Sequence, residues 1–345
     1  MVREYIILPK KNKMNGYITL DYELFMGKTT GTPEKCLVDP MEHLMSMVDK
    51  YNVKLNVFVD TAYLLQLRKL KDNHPQLQHD YDLVIQNIKQ IDQRGHAIQL
   101  HLHPQWYYSQ YDGEKWVLDV DHYKLSDMTL AEQKDLINEG IKLLNSLVSR
   151  KVTAFRAGGY SVENFSELYD TFLIGGIISD SSAMHGGYRS GKFHSYDYRN
   201  IPNKTSYNVF KDIKTECPEG KMKEYPISTI DTIGFIYLIK KWIMTKKNNK
   251  IPGSHTRWGD GQSIGFPGCR IKVLLTKLSM LFESKPVLAS MDDCENIEDV
   301  LRYSKRHYSG DDFVIIGHPK TITPHVINLL EYFINKHPEI EFKLF

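Results

Sequence analysis

Residues 95–106 read GHAIQLHLHPQW, and the alternation in this stretch predicts a strand that ends in metal-binding side chains. Apolar and polar residues alternate as far as His101 and His103. A strand places these two on the same side of the sheet because its side chains repeat every two residues. Pro104 then ends the pattern. Two neighbouring imidazoles at a strand end are a suitable pair of metal ligands.

Polar groups also follow two other strand-like runs. GYITLDYE (16–23) ends in Asp21 and Glu23, and FVIIGHPK (313–320) contains His318 after four apolar residues. In parallel α/β proteins the chemistry gathers at the carboxyl ends of strands, so we expect these groups to meet the histidine pair in one cleft. This arrangement predicts a metal-dependent hydrolase.

The chemistry of such a site assigns candidate roles. Either Glu23 or Asp21 can complete the ligand set, and the other can accept a proton from the metal-bound water. Arg156, in FRAGGY (155–160), can keep a catalytic carboxylate ionised and oriented. His318 can protonate a leaving group. Taken singly, each of these residues is equally compatible with a structural role.

Strand-like runs alternate with helical patterns nearly throughout the chain, which indicates βα units around a parallel sheet. The expected strands lie at 16–22, 53–59, 96–102, 152–156, 174–179, 223–228, 286–290 and 313–317. The expected helices lie at 41–50, 80–94, 129–149, 162–170, 233–245, 270–283, 296–308 and 324–336, with Ser126 or Thr129 as the N-cap of the third. Seven or eight such units predict a closed or nearly closed α/β barrel in a single domain, 1–345.

Three segments interrupt this rhythm, at 104–125, 183–215 and 246–268, and we interpret them as loop insertions. Aromatic side chains in these loops can line a sugar-binding cleft, because ring faces pack against the apolar faces of sugars. They are Trp106, Tyr107, Tyr108, Trp116, Tyr188 and Trp258. Anchoring the loops onto the barrel explains each of them equally well.

Composition limits the class of binding partner and the cellular compartment that we expect. The 345 residues carry a formal net charge of +2, so no global field favours nucleic acid or anionic lipid, and a carbohydrate or other small molecule fits better. Four scattered cysteines indicate reduced thiols. The N-terminal run MVREYIILPKKNK is too short and too charged for a signal peptide, so we expect a cytoplasmic protein.

The apolar run IGFIYLIKKWIM (233–244) is shorter than the roughly 20 residues of a membrane-spanning helix, so we expect no transmembrane segment. Its apolar residues recur at helical spacing. We expect a helix docked on the core with a solvated basic side. The alternative is contact with a membrane surface or a polyanionic glycan.

The order of these segments, from about Tyr17 to Pro319, resembles the polysaccharide deacetylase superfamily, the NodB-homology group of carbohydrate esterase family 4. TLDYE (19–23) is similar to the family motif T-F-D-D-G, and RAGG (156–159) is similar to R-x-P-x-G. SDSS (179–182) and EYPIS (224–228) look like segments of divergent members linked to surface-polysaccharide biosynthesis. The resemblance implies a distorted (β/α) barrel and hydrolysis of acetyl groups on sugars with a divalent metal, commonly zinc.

The resemblance also implies a ligand set, with two departures from the family pattern. Tyr22 stands where the family has a metal-binding aspartate, and Gln105 stands at the second histidine of H-x-x-x-H. Divergent members suggest Glu23 and His103 as substitutes, which together with His101 would hold the metal.

The remaining roles follow from the same resemblance. Asp21 is the expected base, close enough to contact the metal or its water, Arg156 holds it in place, and His318 protonates the departing amine. Trp106 and Tyr160 are the expected substrate-binding residues, with a backbone N–H of the turn at 158–160 available to the oxyanion. The products would be acetate and a free amino sugar.

Two other readings of the sequence stay open. A catalytically inactive carbohydrate-binding protein on the same barrel is supported by Tyr22 and Gln105. An amidohydrolase-type metal hydrolase also uses H-x-H on a barrel strand. There, however, the pair belongs to the first strand and the key aspartate comes late, whereas Asp21 comes early.

Overall fold

A computed structural model describes residues 13–248, 255–263 and 284–345. The strands are β1 (Met14–Tyr22), β2 (Asn56–Asp60), β3 (Ala97–Leu102), β4 (Gln110–Tyr111), β5 (Trp116–Val117), β6 (Ala154–Ala157), β7 (Ser179–Asp180), β8 (Tyr188–Ser190), β9 (Ser195–Asp197), β10 (Tyr207–Val209), β11 (Met222–Glu224), β12 (Thr229–Ile233), β13 (Ser284–Leu288), β14 (Asp312–Gly317) and β15 (Ile340–Phe342). The helices are α1 (Asp39–Val48), α2 (Thr61–Leu70), α3 (Pro75–Gln93), α4 (Gln105–Tyr108), α5 (Leu130–Leu147), α6 (Phe165–Ile174), α7 (Gly234–Asn248), α8 (Ile297–His307) and α9 (Pro324–Lys336).

The main sheet has the strand order β10–β11–β7–β6–β3–β2–β1–β14, with β15 also paired to β1. Only the β10–β11 pair of this sheet is antiparallel. The register sets Asp60 beside His101 and His101 beside Arg156. The carboxyl ends of neighbouring strands therefore bring these polar side chains to one edge of the sheet.

Isolated hydrogen bonds, rather than a continuous strand ladder, join the two sides of the curled sheet. Ile227 N donates to Ala183 O at 2.9 Å, and Ser228 N donates to Val314 O at 3.1 Å. Helices α1, α2, α3, α5 and α9 each bury one side. The predicted α/β class and distorted barrel are confirmed.

The core explains why the strands read as near-continuous apolar runs. Every residue of β14 is buried, as expected for a parallel strand covered on both faces. Each fully buried Ile or Phe side chain, such as Phe313 or Ile316, contributes about 1.5–3 kcal/mol relative to exposure. This burial fixes the position of His318, which directly follows the strand.

Most predicted elements are present, but one expected strand is not formed and one helix was not expected. The strand expected at 174–179 is mostly the end of α6 and a turn, because Gly176 has a left-handed φ of 90° there. Helix α2 was not predicted, since it follows β2 directly at Asp60 and no glycine or proline separates the two. The helix expected at 270–283 lies outside the described residues.

The helix expected at 233–245 is α7, but it does not bury its apolar side as predicted. Phe235, Ile236 and Leu238 are 47–55% exposed. Among the described residues, no helix is long and apolar enough to cross a membrane. The loop insertions hold short elements, including α4 and the β4–β5 hairpin in the first and the β8–β9 hairpin in the second.

Candidate metal centre and active site

Three buried side chains form a cluster that could hold a metal ion. Ligand atoms of Glu23, His101 and His103 all lie within 4.8 Å of one another. Glu23 Oε2 is 3.1 Å from His101 Nε2 and also contacts His103 Nε2. Glu23 follows β1, and the two histidines lie at the end of β3, so the parallel sheet produces the cluster.

The tautomer of His101 suits a metal ligand. Its Nδ1 is 2.8 Å from the carbonyl oxygen of Arg156, which can only accept, so Nδ1 carries the proton. Nε2 is then the nitrogen directed at Glu23, as in metal sites where the second ring nitrogen is fixed by a carbonyl. Burial opposes a charged His101, but Asp21 and Glu23 outweigh it and raise its pKa.

Asp60, which ends β2, is a buried acid of the site that the sequence analysis missed. Its Oδ1 accepts from the backbone N–H of His103 at 3.1 Å, which positions the second histidine. Burial raises the pKa of Asp60 to about 6, against the opposing charges of His103 and His101. Asp60 Oδ2 and His103 Nδ1 are buried without a hydrogen-bond partner among the described residues.

Lys320 is a second missed residue. Its Nζ donates to Glu23 Oε1 at 2.6 Å and to the carbonyl of Leu24 at 2.8 Å. Burial alone would raise the pKa of Glu23, but Lys320 and His103 hold it well below its usual value. The two oxygens of Glu23 thus face different partners, imidazoles on one side and an ammonium on the other.

Arg156 holds Asp21, as predicted. Its Nη1 donates to Asp21 Oδ1 at 2.6 Å, and its Nε and Nη2 donate to the carbonyl and hydroxyl oxygens of Ser181 at 2.8 and 2.9 Å. Arg156 is fully buried, with its guanidinium 4.4 Å from the ring centroid of Phe58. These contacts fix the orientation of the Asp21 carboxylate.

His318 lies on the other side of the two carboxylates. Its Nε2 is 3.8 Å from both Asp21 Oδ2 and Glu23 Oε1. Its Nδ1 is 2.8 Å from Asp292 Oδ2, a partner that the sequence analysis did not identify. Burial alone would lower the pKa of His318, but Asp292 in particular raises it to about 9.

The structure therefore brings all six predicted catalytic and metal-binding side chains to one place, while their roles stay predictions. They are Asp21, Glu23, His101, His103, Arg156 and His318. The departure at Tyr22 has a structural explanation. Successive side chains of a strand point to opposite faces of the sheet, so the Tyr22 side chain lies on the other face from Asp21 and Glu23. Its hydroxyl donates to Asn87 Oδ1 at 2.9 Å.

The two predicted substrate-binding residues have different outcomes. Trp106 is 0% exposed and packs on Tyr63 and Trp116, with ring centroids 4.7 and 5.1 Å apart, so its ring has no free face for a sugar and the prediction is wrong. Tyr160 is half-buried with a left-handed φ of 61°. Burial and the nearby Asp21 charge raise its pKa well above the usual value, and its role in substrate binding stays a prediction.

A cleft of about 550 Å³ lies beside the histidine pair. Its lining includes Tyr123, whose ring is 5.8 Å from that of His103, and Gln105. The side-chain amide of Gln105 is buried and has no hydrogen-bond partner among the described residues. The lining does not include Glu23, His101 or His103, so the cleft approaches the candidate metal centre through Tyr123.

Comparison with known proteins returns solved structures and nothing else. No family model matches the chain, and no curated protein matches it. The chain is similar to a Mycobacterium smegmatis protein provisionally classed as a polysaccharide deacetylase, with 14% identity and a TM-score of 0.48 over 96% of this chain and 86% of that one. The barrel and the cluster of acids and histidines define a candidate metal-binding α/β protein on the evidence of this chain alone.

Two further structures illustrate the range of similar proteins. A polysaccharide deacetylase from Bacillus cereus has 11% identity and a TM-score of 0.40, covering 96% of this chain and 92% of its own. A carbohydrate esterase family 4 pseudoenzyme from Bacillus anthracis has 10% identity and the same TM-score, covering 96% of this chain and 63% of its own.

Proposed function

We propose that this protein is a metal-dependent hydrolase that removes an acetyl group from an amino sugar or glycan. The observation that carries the proposal is the buried cluster of Glu23, His101 and His103, with Asp21 and His318 beside it. A structural role alone does not explain why two carboxylates and three imidazoles from separate strands meet next to a cleft.

The residues of the cluster fit a divalent metal. One carboxylate and two imidazoles are ligands that zinc favours, and the contact of His101 Nδ1 with the Arg156 carbonyl leaves Nε2 directed at Glu23. Such an ion, when bound, polarises a carbonyl and lowers the pKa of a coordinated water. Glu23, His101 and His103 would hold it, and zinc is our proposal for its identity.

The other side chains would handle protons. Asp21, oriented by Arg156, would accept the proton of the attacking water. His318, kept protonated by Asp292, would donate a proton to the departing amine. A backbone N–H near Tyr160 is available to the oxyanion. The products would be acetate and a free amino sugar.

The substrate class rests on the cleft and on the motif resemblance. A volume of about 550 Å³ beside the metal ligands can accept a sugar unit. We propose a carbohydrate substrate used in surface-polysaccharide biosynthesis, from the resemblance of the sequence to divergent deacetylases. A cytoplasmic location, expected from the scattered cysteines, stays a proposal.

Acetate release tests the proposal. Metal-loaded protein should release acetate from N-acetylated glucosamine oligomers, and Asp21→Asn should reduce kcat by about 10²–10⁴-fold, as expected for loss of a general base. Asp72→Asn, at an exposed aspartate, should have no effect and serves as the control. Undiminished acetate release by Asp21→Asn would rule out the proposed base.

The second candidate is a catalytically inactive carbohydrate-binding protein. The contacts of Glu23 with both Lys320 and His103 favour it, because they satisfy the carboxylate without a metal. Metal analysis at saturating zinc separates the two candidates: the hydrolase should bind about one equivalent of the ion, and the inactive protein should bind none.

A further inference from the structure

We propose that Lys320 is a built-in counter-cation of Glu23 that weakens the affinity of the candidate centre for a divalent metal. The inference rests on the proposed function, because it concerns the same three ligands. It makes metal loading dependent on the metal concentration around the protein, since a centre of lower affinity is filled only when the ion is abundant.

The placement of Lys320 supports a specific role for its charge. The residue is 8% exposed, in a turn directly after β14, and its Nζ lies 5.2 Å from the ring centroid of Phe25. Lysine is almost never fully buried unless it is paired. Its carboxylate partner here is Glu23, 297 residues away in the chain. Burial of this ammonium is therefore coupled to the ionised state of a candidate metal ligand.

The two carboxylate oxygens of Glu23 have different hydrogen-bond partners. Lys320 is bonded to Oε1, whereas the imidazoles of His101 and His103 face Oε2. The ammonium thus leaves the ligand-directed oxygen accessible to a metal. Its charge nevertheless acts on any cation bound there, because buried charges a few ångströms apart are weakly screened.

The other acids near the centre are paired with cations, apart from Asp60, whose Oδ2 is buried without a hydrogen-bond partner among the described residues. The charge of Asp21 is paired with that of Arg156, and Asp292 is paired with His318. Glu23 and Lys320 form a third pair. A divalent ion would therefore enter a centre whose fixed charges nearly cancel, and we expect weaker binding than with an unpaired glutamate.

The test uses the full chain and a matched lysine. Lys320→Met removes the charge and keeps the length, whereas Lys320→Arg keeps the charge. Lys54 is the control, because its Nζ also donates to one carboxylate, Asp49, and one carbonyl, Arg94, away from the centre. The measurements are the zinc dissociation constant by chelator competition and the melting temperature of the metal-free protein.

We expect Lys320→Met to lower the zinc dissociation constant by about tenfold or more and to lower the melting temperature of the metal-free protein. The same variant leaves Glu23 as an unpaired buried charge, which a metal can neutralise. Lys320→Arg should stay close to the wild type. Lys54→Met should lower the melting temperature without changing zinc affinity. Lys320→Gln should change zinc affinity as Lys320→Met does, and replaces it if that variant does not fold.

The outcomes separate this inference from the proposed function. Zinc binding that is lost in His103→Ala and tightened in Lys320→Met supports both. Zinc binding that is lost in His103→Ala but unchanged or weakened in Lys320→Met keeps the metal centre and overturns the counter-cation. Binding seen only in Lys320→Met supports the counter-cation, and absence of binding in both wild type and Lys320→Met overturns both.

Discussion

At the scale of single residues, the hydrogen bond between His318 and Asp292 favours the protonated form of the His318 imidazole. His318 Nδ1 lies 2.8 Å from Asp292 Oδ2, and the charge of Asp292 in particular raises the pKa of His318 to about 9. The imidazole is therefore charged at neutral pH in the metal-free protein. A charged imidazole 3.8 Å from Asp21 is a proton donor rather than a base.

Removal of this partner should change the titration of the histidine. We expect Asp292→Asn to lower the pKa of His318 by about one unit or more, because an opposite charge at hydrogen-bond distance favours the charged form. NMR titration of the imidazole in metal-free protein measures this pKa. Asp292→Glu, which keeps a carboxylate, is the control. An unchanged pKa in Asp292→Asn would show that other groups charge the histidine.

Several residues that sequence reasoning identified share one property, which Lys320 lacks. Asp21, His101 and His318 end apolar runs, and the end of a parallel strand can be recognised from periodicity. Asp60 ends a run in the same way, in NVFVD, so the same rule could have found it. Lys320 carries no such signal, because its burial depends on an ion pair across 297 residues.

At the scale of elements, helix α5 depends on a capping box at its N-terminus. Thr129 Oγ1 accepts from Glu132 N at 3.3 Å, and Glu132 Oε2 accepts from Thr129 N at 2.9 Å. The two bonds satisfy backbone donors that the first turn leaves free. Of the two predicted caps, Thr129 is therefore the one that the structure confirms.

Loss of this cap should destabilise the fold measurably. We expect Thr129→Ala to reduce the free energy of unfolding by about 1 kcal/mol. Ser126→Ala should change it by less than about 0.5 kcal/mol, because Ser126 is not the cap and its hydroxyl makes only an exposed contact with Glu163. Urea unfolding followed by circular dichroism gives both values. Equal effects of the two substitutions would contradict the assigned cap.

Elements with strong periodicity were predictable, and very short ones were not. Helix α9 was predicted with its observed bounds, 324–336. Trp106 lies in α4, a helix of four residues that no periodicity reveals, and tertiary packing against Tyr63 buries its ring. The apolar side of α7 is exposed, whereas its sequence pattern predicts burial against the core. Contact with a membrane surface or a polyanionic glycan stays a prediction for this helix.

At the scale of the whole molecule, a buried acid pair makes stability depend on pH. Glu224 in β11 lies beside Asp180 in β7, and both are fully buried. Burial, and then the charge of Asp180, raise the pKa of Glu224 well above its ordinary value of 4.5. The folded protein therefore holds a proton that the unfolded chain releases above that value, so stability should fall as pH rises from there toward the raised pKa.

Glu224→Gln should remove this dependence, because the amide has the same shape and does not ionise. The free energy of unfolding should then fall less between about pH 5 and about pH 8 than in the wild type. Denaturant unfolding at the two pH values measures the difference. Glu114→Gln, at an exposed glutamate, should retain the wild-type slope. A slope unaffected by Glu224→Gln would exclude the buried pair as its cause.

The barrel class was predictable from alternating strand and helix patterns, but the way its sides meet was not. The joining contacts are single hydrogen bonds of Ile227 and Ser228, which lie in the strand expected at 223–228 but beyond the observed end of β11 at Glu224. The short strands β7 and β11 likewise depend on partners distant in sequence. The prediction that residues 1–345 form one domain stays a prediction.

The most direct test of the metal centre is an anomalous difference map from crystals of the full chain grown with zinc. We predict one peak about 2.0–2.3 Å from a Glu23 carboxylate oxygen and from Nε2 of His101 and His103, and no peak there in crystals of His103→Ala. A map without density between these three side chains at saturating zinc, or with an unchanged peak in His103→Ala, would contradict the account.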